Sequence, residues 1–239
     1  MNSDLFSQKI SVIIPVYNEE NTIVRLLNHL RIHGCSYNLE IVVVDGGSED
    51  STVDKVRNQG INCICSKKGR AFQMNTGVKH SNGEILYFVH ADSIPPLTFP
   101  ADILNAVTEG YEAGCYRFKF DSERPLLKIN SYFTRFDRLM SRGGDQTLFI
   151  TRSLFDKLGG YKEDYVIMED FDLIERIRRE STFKIIPDDV TVSARKYSNN
   201  SYLKVNFVNL VIFIMYFMGA SPQTMLQAYK SLIHKTKFG

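Results

Sequence analysis

The sequence predicts an α/β domain in which a mostly parallel sheet is covered by helices. Its first half alternates short apolar runs with helical patterns, which is typical of β-α-β units. The chain has 239 residues, of which 44% are hydrophobic and 12% aromatic, so it can bury one large core. The predicted strands are Ile10–Pro15, Glu40–Asp45, Ile61–Ser66 and Ile85–Val89, and the predicted helices between them are Thr22–Arg31, Ser51–Asn58 and Arg70–His80.

The helices of this first half are predicted from apolar spacing and from stop signals. In the first helix, apolar side chains recur at i, i+3, i+4 and i+7 from Ile23. The second segment is short and polar, and the third ends at Ser-Asn-Gly (81–83), a combination that commonly ends a helix. In such open sheets, ligands gather at the carboxyl ends of the strands.

The second half of the chain is less regular. Ala113–Phe120 alternates as a sheet strand does, and Thr147–Thr151 is a second, short strand. Leu126–Met140 has a helical pattern, and Glu169–Arg179 is a charged helix. A further strand is expected just before Val192.

The segment Phe207–Met218 is almost entirely apolar. Even counted from Leu203 it is too short to span a bilayer, and Asn206 and Asn209 interrupt its pattern. We therefore expect a helix that is buried or lies on the surface, with membrane contact through residues 203–218 and a homodimer face left open.

A last helix follows this apolar segment. Ser221 is its predicted N-cap, and Pro222 occupies the first helical position. We expect residues 1–200 to form the main domain and residues 201–239 to form a helical extension packed on it.

Charge, cysteines and the N-terminus argue against several classes of protein. The formal charge is +2, with 29 basic and 27 acidic residues, so we expect no nucleic-acid partner. The four cysteines lack CxxC spacing and a nearby histidine cluster, so neither a zinc site nor a disulfide framework is indicated. The first residues do not form a secretory signal. We expect a cytoplasmic location, with peripheral membrane contact left open.

Two potential metal ligands, His90 and Asp92, directly follow the fourth predicted strand. They are two residues apart, so on extended backbone their side chains would point the same way. Imidazole and carboxylate groups both bind divalent cations. This stretch therefore marks the floor of a candidate reaction site.

Asp45 ends the second predicted strand and is followed by Gly46-Gly47-Ser48. Glycines let the backbone approach a ligand closely. The carboxylate suits a hydrogen bond to a base N–H or a ribose hydroxyl, but an aspartate that only caps a turn fits equally well. The glycines do not form G-x-G-x-x-G, and there is no Walker loop.

Arg70 begins a helix directly after Lys67-Lys68-Gly69. Unpaired N–H groups at a helix N-terminus favour anions, so this cluster suits a diphosphate, although a solvated basic turn is the alternative. Glu169-Asp170-Phe171-Asp172 opens another helix with more carboxylates than a cap requires, and one of them could act as a general base. Gly143-Gly144-Asp145-Gln146 suits a hydroxylated ligand or is a plain turn.

Five segments carry a family resemblance through their order and spacing. They are ISVIIPVYNEE (10–20), IVVVDGGSED (41–50), GRAFQMNTG (69–77), FVHADS (88–93) and MEDFDL (168–173). With them the chain resembles the family-two inverting glycosyltransferases, which have the GT-A fold, over about residues 10–195. The ordered set is far more specific than any one motif. The chain is most similar to the small bacterial branch described as radical-SAM/selenodomain-associated glycosyltransferases, through VDGGS, RAxQMNxG, HAD and GGDQ.

The resemblance implies a nucleotide-diphosphate-sugar donor over the carboxyl ends of the first four strands. It also implies a single in-line displacement at the anomeric carbon, with inversion and with help from a divalent metal. The implied roles are donor binding for Pro15, Tyr17, Glu19, Asp45, Arg70 and Ala91, catalysis for Asp170 as the base together with Glu169, metal binding for Asp92 and His90, and acceptor binding for Gly144, Asp145 and Gln146.

Two residues depart from the family pattern, and Arg195 is a further donor-binding candidate. Gly46 stands where the family commonly has a second aspartate, and His90 replaces the first carboxylate of the metal motif. Neutral imidazole suits Mn²⁺ better than Mg²⁺, so we expect Mn²⁺. Arg195 follows the last predicted strand and either reaches the donor diphosphate or is a surface cation.

The acceptor stays open, because residues 122–144 suit a lipid phosphate, a small hydroxylated metabolite or only a packed helix. A non-catalytic nucleotide-sugar binding protein and a nucleotidyltransferase are the alternative functions.

Overall fold

The computed structural model describes residues 8–133, 135, 146–197 and 200–233. Within these residues, eight strands form one mixed sheet in the order β3-β2-β1-β4-β7-β6-β8-β5. The strands are β1 (Ile10–Val16), β2 (Leu39–Asp45), β3 (Cys63–Cys65), β4 (Ile85–Phe88), β5 (Ser93–Ile94), β6 (Ala113–Phe120), β7 (Leu148–Thr151) and β8 (Phe183–Val192). The helices are α1 (Ile23–Gly34), α2 (Thr52–Asn58), α3 (Arg70–Lys79), α4 (Phe99–Thr108), α5 (Pro125–Phe133), α6 (Arg152–Lys157), α7 (Glu169–Glu180), α8 (Tyr202–Phe217) and α9 (Pro222–Leu232), and a 3-10 helix spans Ala194–Tyr197.

The first half forms the parallel part of the sheet, so the predicted fold class is confirmed. β1 lies between β2 and β4 and runs parallel to both, while β3 pairs with β2 at the edge. β3 is shorter than the predicted strand Ile61–Ser66. As the edge strand it has one neighbour, and only Cys63 to Cys65 find ladder partners on β2.

The second half completes the sheet with mixed pairing. β7 runs antiparallel between β4 and β6, β8 runs parallel to β6, and the two-residue β5 runs antiparallel beside β8. The prediction for β6 is confirmed in its bounds, whereas β5, α4 and α6 were not predicted. Of the predicted helix Leu126–Met140, α5 covers residues up to Phe133; residue 134 and residues 136–140 lie outside the described part of the chain.

Alternating side chains of β1 divide the core between the two faces of the sheet. Ile10, Val12 and Ile14 pack on one face with helices α1 and α4. Ile13 points to the other face, where helices α3 and α7 supply buried residues such as Met74. Because burial of each such side chain contributes about 1.5–3 kcal/mol, the pattern holds β1 at the centre of the domain.

The C-terminal helices pack on the first of these core layers. Val205 and Val208 of α8 and Met225 of α9 belong to the same hydrophobic cluster as the side chains of β1. Ser221 accepts a hydrogen bond from the backbone N–H of Thr224 at 3.2 Å, which confirms the predicted N-cap. In the described part of the chain, every helix is too short or too polar to cross a bilayer.

We expect Gly77→Ala to destabilise the fold. Gly77 is buried where α3 crosses β1 and β2, and a Cβ there would collide with Ile13 and lie 3.2 Å from a methyl of Val44. Overpacking costs about 1–3 kcal/mol, against a gain of about 1 kcal/mol in helix propensity. Thermal unfolding should give a lower Tm for Gly77→Ala and a nearly unchanged Tm for the control Lys79→Ala, which alters an exposed residue of the same helix. An equal or higher Tm for Gly77→Ala would contradict this packing.

Candidate active site

The ladder between β1 and β4 ends before the carboxyl end of β1, and we call the place beyond it the switch-point crevice. The ladder between these strands ends at Ile13 and Phe88, so Pro15, further along β1, has no partner on β4. A proline at this place leaves no missing hydrogen bond on that side. The chain adds β2 and β3 on one side of β1 and then places β4 on the other side, so the strand order changes direction between β1 and β4. Open α/β sheets bind ligands at such a switch point.

Asp45 is buried at the end of β2, beside the crevice. Its carboxylate accepts hydrogen bonds from the backbone N–H groups of Gly47 at 2.8 Å and Ser48 at 3.0 Å. Gly47 has φ +90°, a conformation that favours glycine. The carboxylate therefore caps the turn after β2 and is held rigidly at the carboxyl end of this strand.

Gln73 of α3 fastens the ends of β1 and β2 together. Its buried side-chain amide donates to the backbone oxygens of Val16 at 2.8 Å and Val44 at 2.9 Å. A Cβ at Gly46 would lie 3.0 Å from both Cδ and Oε1 of Gln73. Gln73 therefore occupies the space that a side chain at position 46 would need. Sequence reasoning gave Gln73 no role, although a glutamine on the buried face of a helix was the available signal.

Glu19, just after β1, forms an ion pair with Arg195 in the 3-10 helix after β8. The Arg195 guanidinium donates to both carboxylate oxygens, at 2.8 and 3.1 Å. Thr22 also donates to this carboxylate at 2.7 Å, and the Glu19 backbone N–H donates to Thr52 at 2.8 Å. Burial alone lowers the pKa of Arg195, but its hydrogen bond to Glu19 and the charges of Glu19 and Asp92 outweigh burial and raise it.

The His90-Ala91-Asp92 stretch is a turn, which corrects the prediction of extended backbone. β4 ends at Phe88, and the Ser93 N–H donates to the His90 carbonyl at 3.0 Å. The argument that His90 and Asp92 must point the same way therefore fails. The turn forms because the chain must leave β4 and join β5, and the Ser193 N–H fixes it by donating to the Asp92 carbonyl at 3.1 Å.

Asp92 and Arg195 meet across this turn. The Asp92 carboxylate is nearly buried, and one of its oxygens lies 3.8 Å from the Arg195 guanidinium. Within the described ranges, no group of three or more His, Cys, Asp or Glu side chains is arranged to hold a metal ion. Among the described residues, Asp92 and His90 therefore form at most a partial ligand set for a cation.

Helix α7 begins with an unusual backbone conformation. Met168, which precedes it, has φ +67°, a left-handed conformation that is uncommon outside glycine and often found at functional sites. Glu169 is buried and pairs with Arg70 at 3.4 Å, and Asp172 is buried between Lys162 and Arg176. Asp170 is partly exposed between these two pairs.

Tyr161 places a buried hydroxyl near this helix start. Its backbone is held by Asn75 of α3, which donates to its carbonyl at 2.8 Å and accepts from its N–H at 3.0 Å. Burial raises the pKa of Tyr161 well above its ordinary value, and the charges of Asp170 and Glu169 raise it further. Its hydroxyl has no hydrogen-bond partner among the described residues and stays protonated. The sequence gave no signal for this group.

The remaining predicted residues lie around the same edge or outside the described chain. Lys68 lies 3.9 Å above the Tyr17 ring. Gln146 is buried just before β7, whose start faces the end of β4, and accepts a hydrogen bond from Cys115. The predicted acceptor residues Gly144 and Asp145 are outside the described residues.

The fold that holds these residues is the GT-A fold, and the chain belongs to Glycosyl transferase family 2, whose model matches residues 11–164. A curated relative, the probable glycosyltransferase YdaM of Bacillus subtilis, is 28% identical over 198 residues. That match covers 71% of this chain but 46% of YdaM, so the chain spans about half the length of this relative.

Two solved structures of other glycosyltransferases share the fold. The mannosyltransferase PcManGT from Pyrobaculum calidifontis, in complex with GDP-Man and Mn²⁺, aligns with a TM-score of 0.66 and 20% identity over 94% of this chain and 70% of its own. Glucosyl-3-phosphoglycerate synthase from Mycobacterium tuberculosis, in complex with Mn²⁺, UDP and phosphoglyceric acid, aligns with a TM-score of 0.63 and 17% identity over 91% and 82%. At these identities the likeness shows the fold alone.

We expect Gln73→Leu to lower the unfolding free energy of the protein. Leucine keeps much of the volume but removes the donor to two buried carbonyls, which should cost about 1–2 kcal/mol of unfolding free energy. The matched control Gln227→Leu, on the exposed side of α9, should change it by less than about 0.5 kcal/mol. Urea unfolding measures both variants. If Gln73→Leu unfolds with the same free energy as Gln227→Leu, the hydrogen bonds of Gln73 do not stabilise the ends of β1 and β2.

Proposed function

We propose that this chain transfers a sugar from a nucleotide-diphosphate donor to an acceptor hydroxyl, with inversion at the anomeric carbon. One observation carries the proposal: a Glycosyl transferase family 2 chain gathers its polar strand ends at the switch point between β1 and β4. Membership in the radical-SAM/selenodomain-associated branch belongs to the proposal and rests on the motifs alone.

The donor would lie in the crevice, with its base and ribose toward the ends of β1 and β2. Pro15 and Tyr17 would line the base, and Asp45 would accept from a base N–H or a ribose hydroxyl. The rigid turn after β2 supports this role, because a carboxylate already held in place loses little freedom when a ligand binds. Ala91, buried in the turn after β4, would border the sugar-diphosphate side.

The residues fit a divalent cation that is held jointly with the donor phosphates. Sites of this kind use one or two protein ligands plus substrate phosphates, and Asp92 with His90 offers such a partial set. When bound, the cation would neutralise the charge that develops on the leaving diphosphate. Mn²⁺ is the better match because His90 supplies a nitrogen ligand. The two solved glycosyltransferases described above were each captured with Mn²⁺.

Arg195 would add a second positive charge on the leaving-group side. Its guanidinium is about half exposed, is kept charged by Glu19 and lies beside Asp92. A preorganised cation of this kind stabilises charge that forms on an oxygen in the transition state. Arg70 is held by Glu169 at the start of α3, and we place it toward the same phosphates.

Asp170 would act as the general base. Glu169 and Asp172 are buried in ion pairs, whereas Asp170 is partly exposed at a helix N-terminus, where the dipole favours a negative charge. The acceptor hydroxyl would give its proton to Asp170 as its oxygen bonds the anomeric carbon, and the bond from that carbon to the diphosphate would break. Glu169 would position this site through Arg70, and Gly144, Asp145 and Gln146 would face the acceptor.

The acceptor class, a small metabolite or a lipid-linked hydroxyl, is the open part of this proposal. We keep residues 1–200 as the catalytic domain, residues 201–239 as its helical extension and a cytoplasmic location as parts of the same proposal. Donor hydrolysis or transfer by the purified protein separates this function from a non-catalytic nucleotide-sugar binding protein. A nucleotidyltransferase would instead release pyrophosphate from a nucleoside triphosphate.

We expect Asp170→Asn to lower the rate of sugar transfer or donor hydrolysis by about 10²–10⁴-fold, because the base is lost. Binding of nucleoside diphosphate and the Tm should stay close to those of the wild type. The control Asp172→Asn should lower the Tm, because it weakens the ion pairs with Lys162 and Arg176. Wild-type turnover in Asp170→Asn would remove Asp170 from the mechanism.

We expect nucleoside diphosphates and their sugars to raise the Tm, most strongly with Mn²⁺. A ligand at 100 times its Kd stabilises a protein by about 2.7 kcal/mol. A thermal-shift panel of uridine, guanosine, thymidine and cytidine diphosphates with Mn²⁺, Mg²⁺ or chelator would measure this. Asp92→Asn should remove the metal-dependent part of the shift and keep the rest. A panel without any shift would count against the donor site.

A further inference from the structure

Helix α8 is apolar on two opposite faces. On the inward face, Val205, Val208 and Ile212 are buried in the core. The outward residues are exposed by between 46% and 72% of their surface, although all are large and apolar. A surface helix usually turns charged or polar residues outward. The outward residues, which we call the α8 face, are Leu203, Phe207, Leu210, Ile214 and Phe217.

The α8 face is contiguous. Its residues recur at spacings of four and three, so they lie along one side of the helix, and the exposed Met218 extends the row past its end. Large contiguous apolar patches mark interaction sites, whereas single exposed residues such as Ile32 and Leu97 need no explanation.

The sequence segment that contains α8 is basic. From Lys196 to the last residue the sequence contains no Asp or Glu, while the whole chain has a formal charge of only +2, so the rest of the protein is net negative. The side chain of Lys230 on α9 is exposed, and that of Lys204 on α8 is partly exposed. The lysines of this segment are Lys196, Lys204, Lys230, Lys235 and Lys237.

We propose that the α8 face docks on an anionic lipid surface. A helix with an exposed apolar side and basic flanks lies in the plane of the interface, where apolar burial and attraction to anionic lipids act together. α8 is too short to cross the bilayer, which matches a helix that lies on it.

A second copy of the chain fits this face less well. A two-fold contact places the same patch on both partners, so Lys204 of α8 would be brought to the contact by each copy, and this segment has no acidic residue to balance the two charges. Helix pairing through a coiled coil is sustained over about three or four heptads, and Tyr202–Phe217 holds little more than two.

The docked face would adjoin the acceptor side of the crevice. α8 packs on α7 through Phe213 and Phe171, whose rings are 4.5 Å apart, and Phe171 directly follows Asp170. The Tyr216 hydroxyl also donates to Glu175 of α7 at 2.9 Å. If the proposed function holds, docking brings the general base near a lipid surface, which suits a lipid-linked acceptor. The docking itself does not depend on that function.

Cosedimentation of the full chain with vesicles tests the proposal. Vesicles of phosphatidylcholine with about one third phosphatidylglycerol should bind at least about tenfold more protein than phosphatidylcholine alone, with a fall at high salt. The triple variant Leu203→Gln, Phe207→Gln, Phe217→Gln should lose about tenfold or more of this binding. The control Ile32→Gln, Leu97→Gln removes equally exposed apolar residues elsewhere and should bind as the wild type does.

Several results would overturn the proposal. Failure of the wild type to bind anionic vesicles would do so, as would wild-type binding by the triple variant. A wild-type dimer in analytical ultracentrifugation that the triple variant converts to monomer, without vesicle binding, would assign the face to a second copy. Circular dichroism checks that the triple variant folds. If the triple variant does not fold, the single variant Phe207→Gln is tested in its place. The nucleotide thermal-shift panel tests the donor site independently of vesicle binding. Failure of the proposed function can therefore be told apart from failure of the docking proposal.

Discussion

The ion pair between Glu19 and Arg195 is the contact on which the candidate site depends. Its partners are 176 residues apart, one just after β1 and the other just after β8. The pair joins the parallel half of the sheet to the mixed half, beside the residues that follow β1 and β4. Because Arg195 also lies 3.8 Å from Asp92, the same cation fixes the third strand end of the site.

The other polar residues of the site are held in a similar way. Asp45 is fixed by backbone N–H groups, Glu169 by Arg70, and the strand ends by Gln73. Each group therefore has a set position before any ligand arrives, and a preorganised site avoids the cost of reorganisation during binding and reaction. Asp170 is partly exposed beside these buried pairs.

The parallel half was predictable because local patterns determine it. β1, β2 and β4 are buried apolar runs, and the helices between them have clear spacing and stop signals. β5 was missed because two residues are too few to show the alternating hydrophobic pattern of a strand. These residues are a strand because they pair with β8. The end of β4 was predicted to within one residue, but the expectation that His90 and Asp92 share one face required extended backbone, and the chain turns at that point.

The sequence indicated individual site residues but not which of them contact each other. Asp45, Glu19, Arg70 and Arg195 were each chosen from their place at a strand or helix end. No local pattern tells that Arg195 meets Glu19, because that contact arises only when β8 takes its place in the sheet. Gln73 was hidden for a similar reason, since its partners are backbone carbonyls of two other elements.

A double-mutant cycle on Glu19 and Arg195, read as the binding free energy of a nucleoside diphosphate, tests most directly whether this contact builds the donor crevice. Glu19→Gln and Arg195→Gln should each weaken binding, and the double variant should lose less than the sum of the two, with a coupling energy of about 0.5–3 kcal/mol. Losses that simply add, or single variants that bind as tightly as the wild type, would contradict a crevice organised by this ion pair.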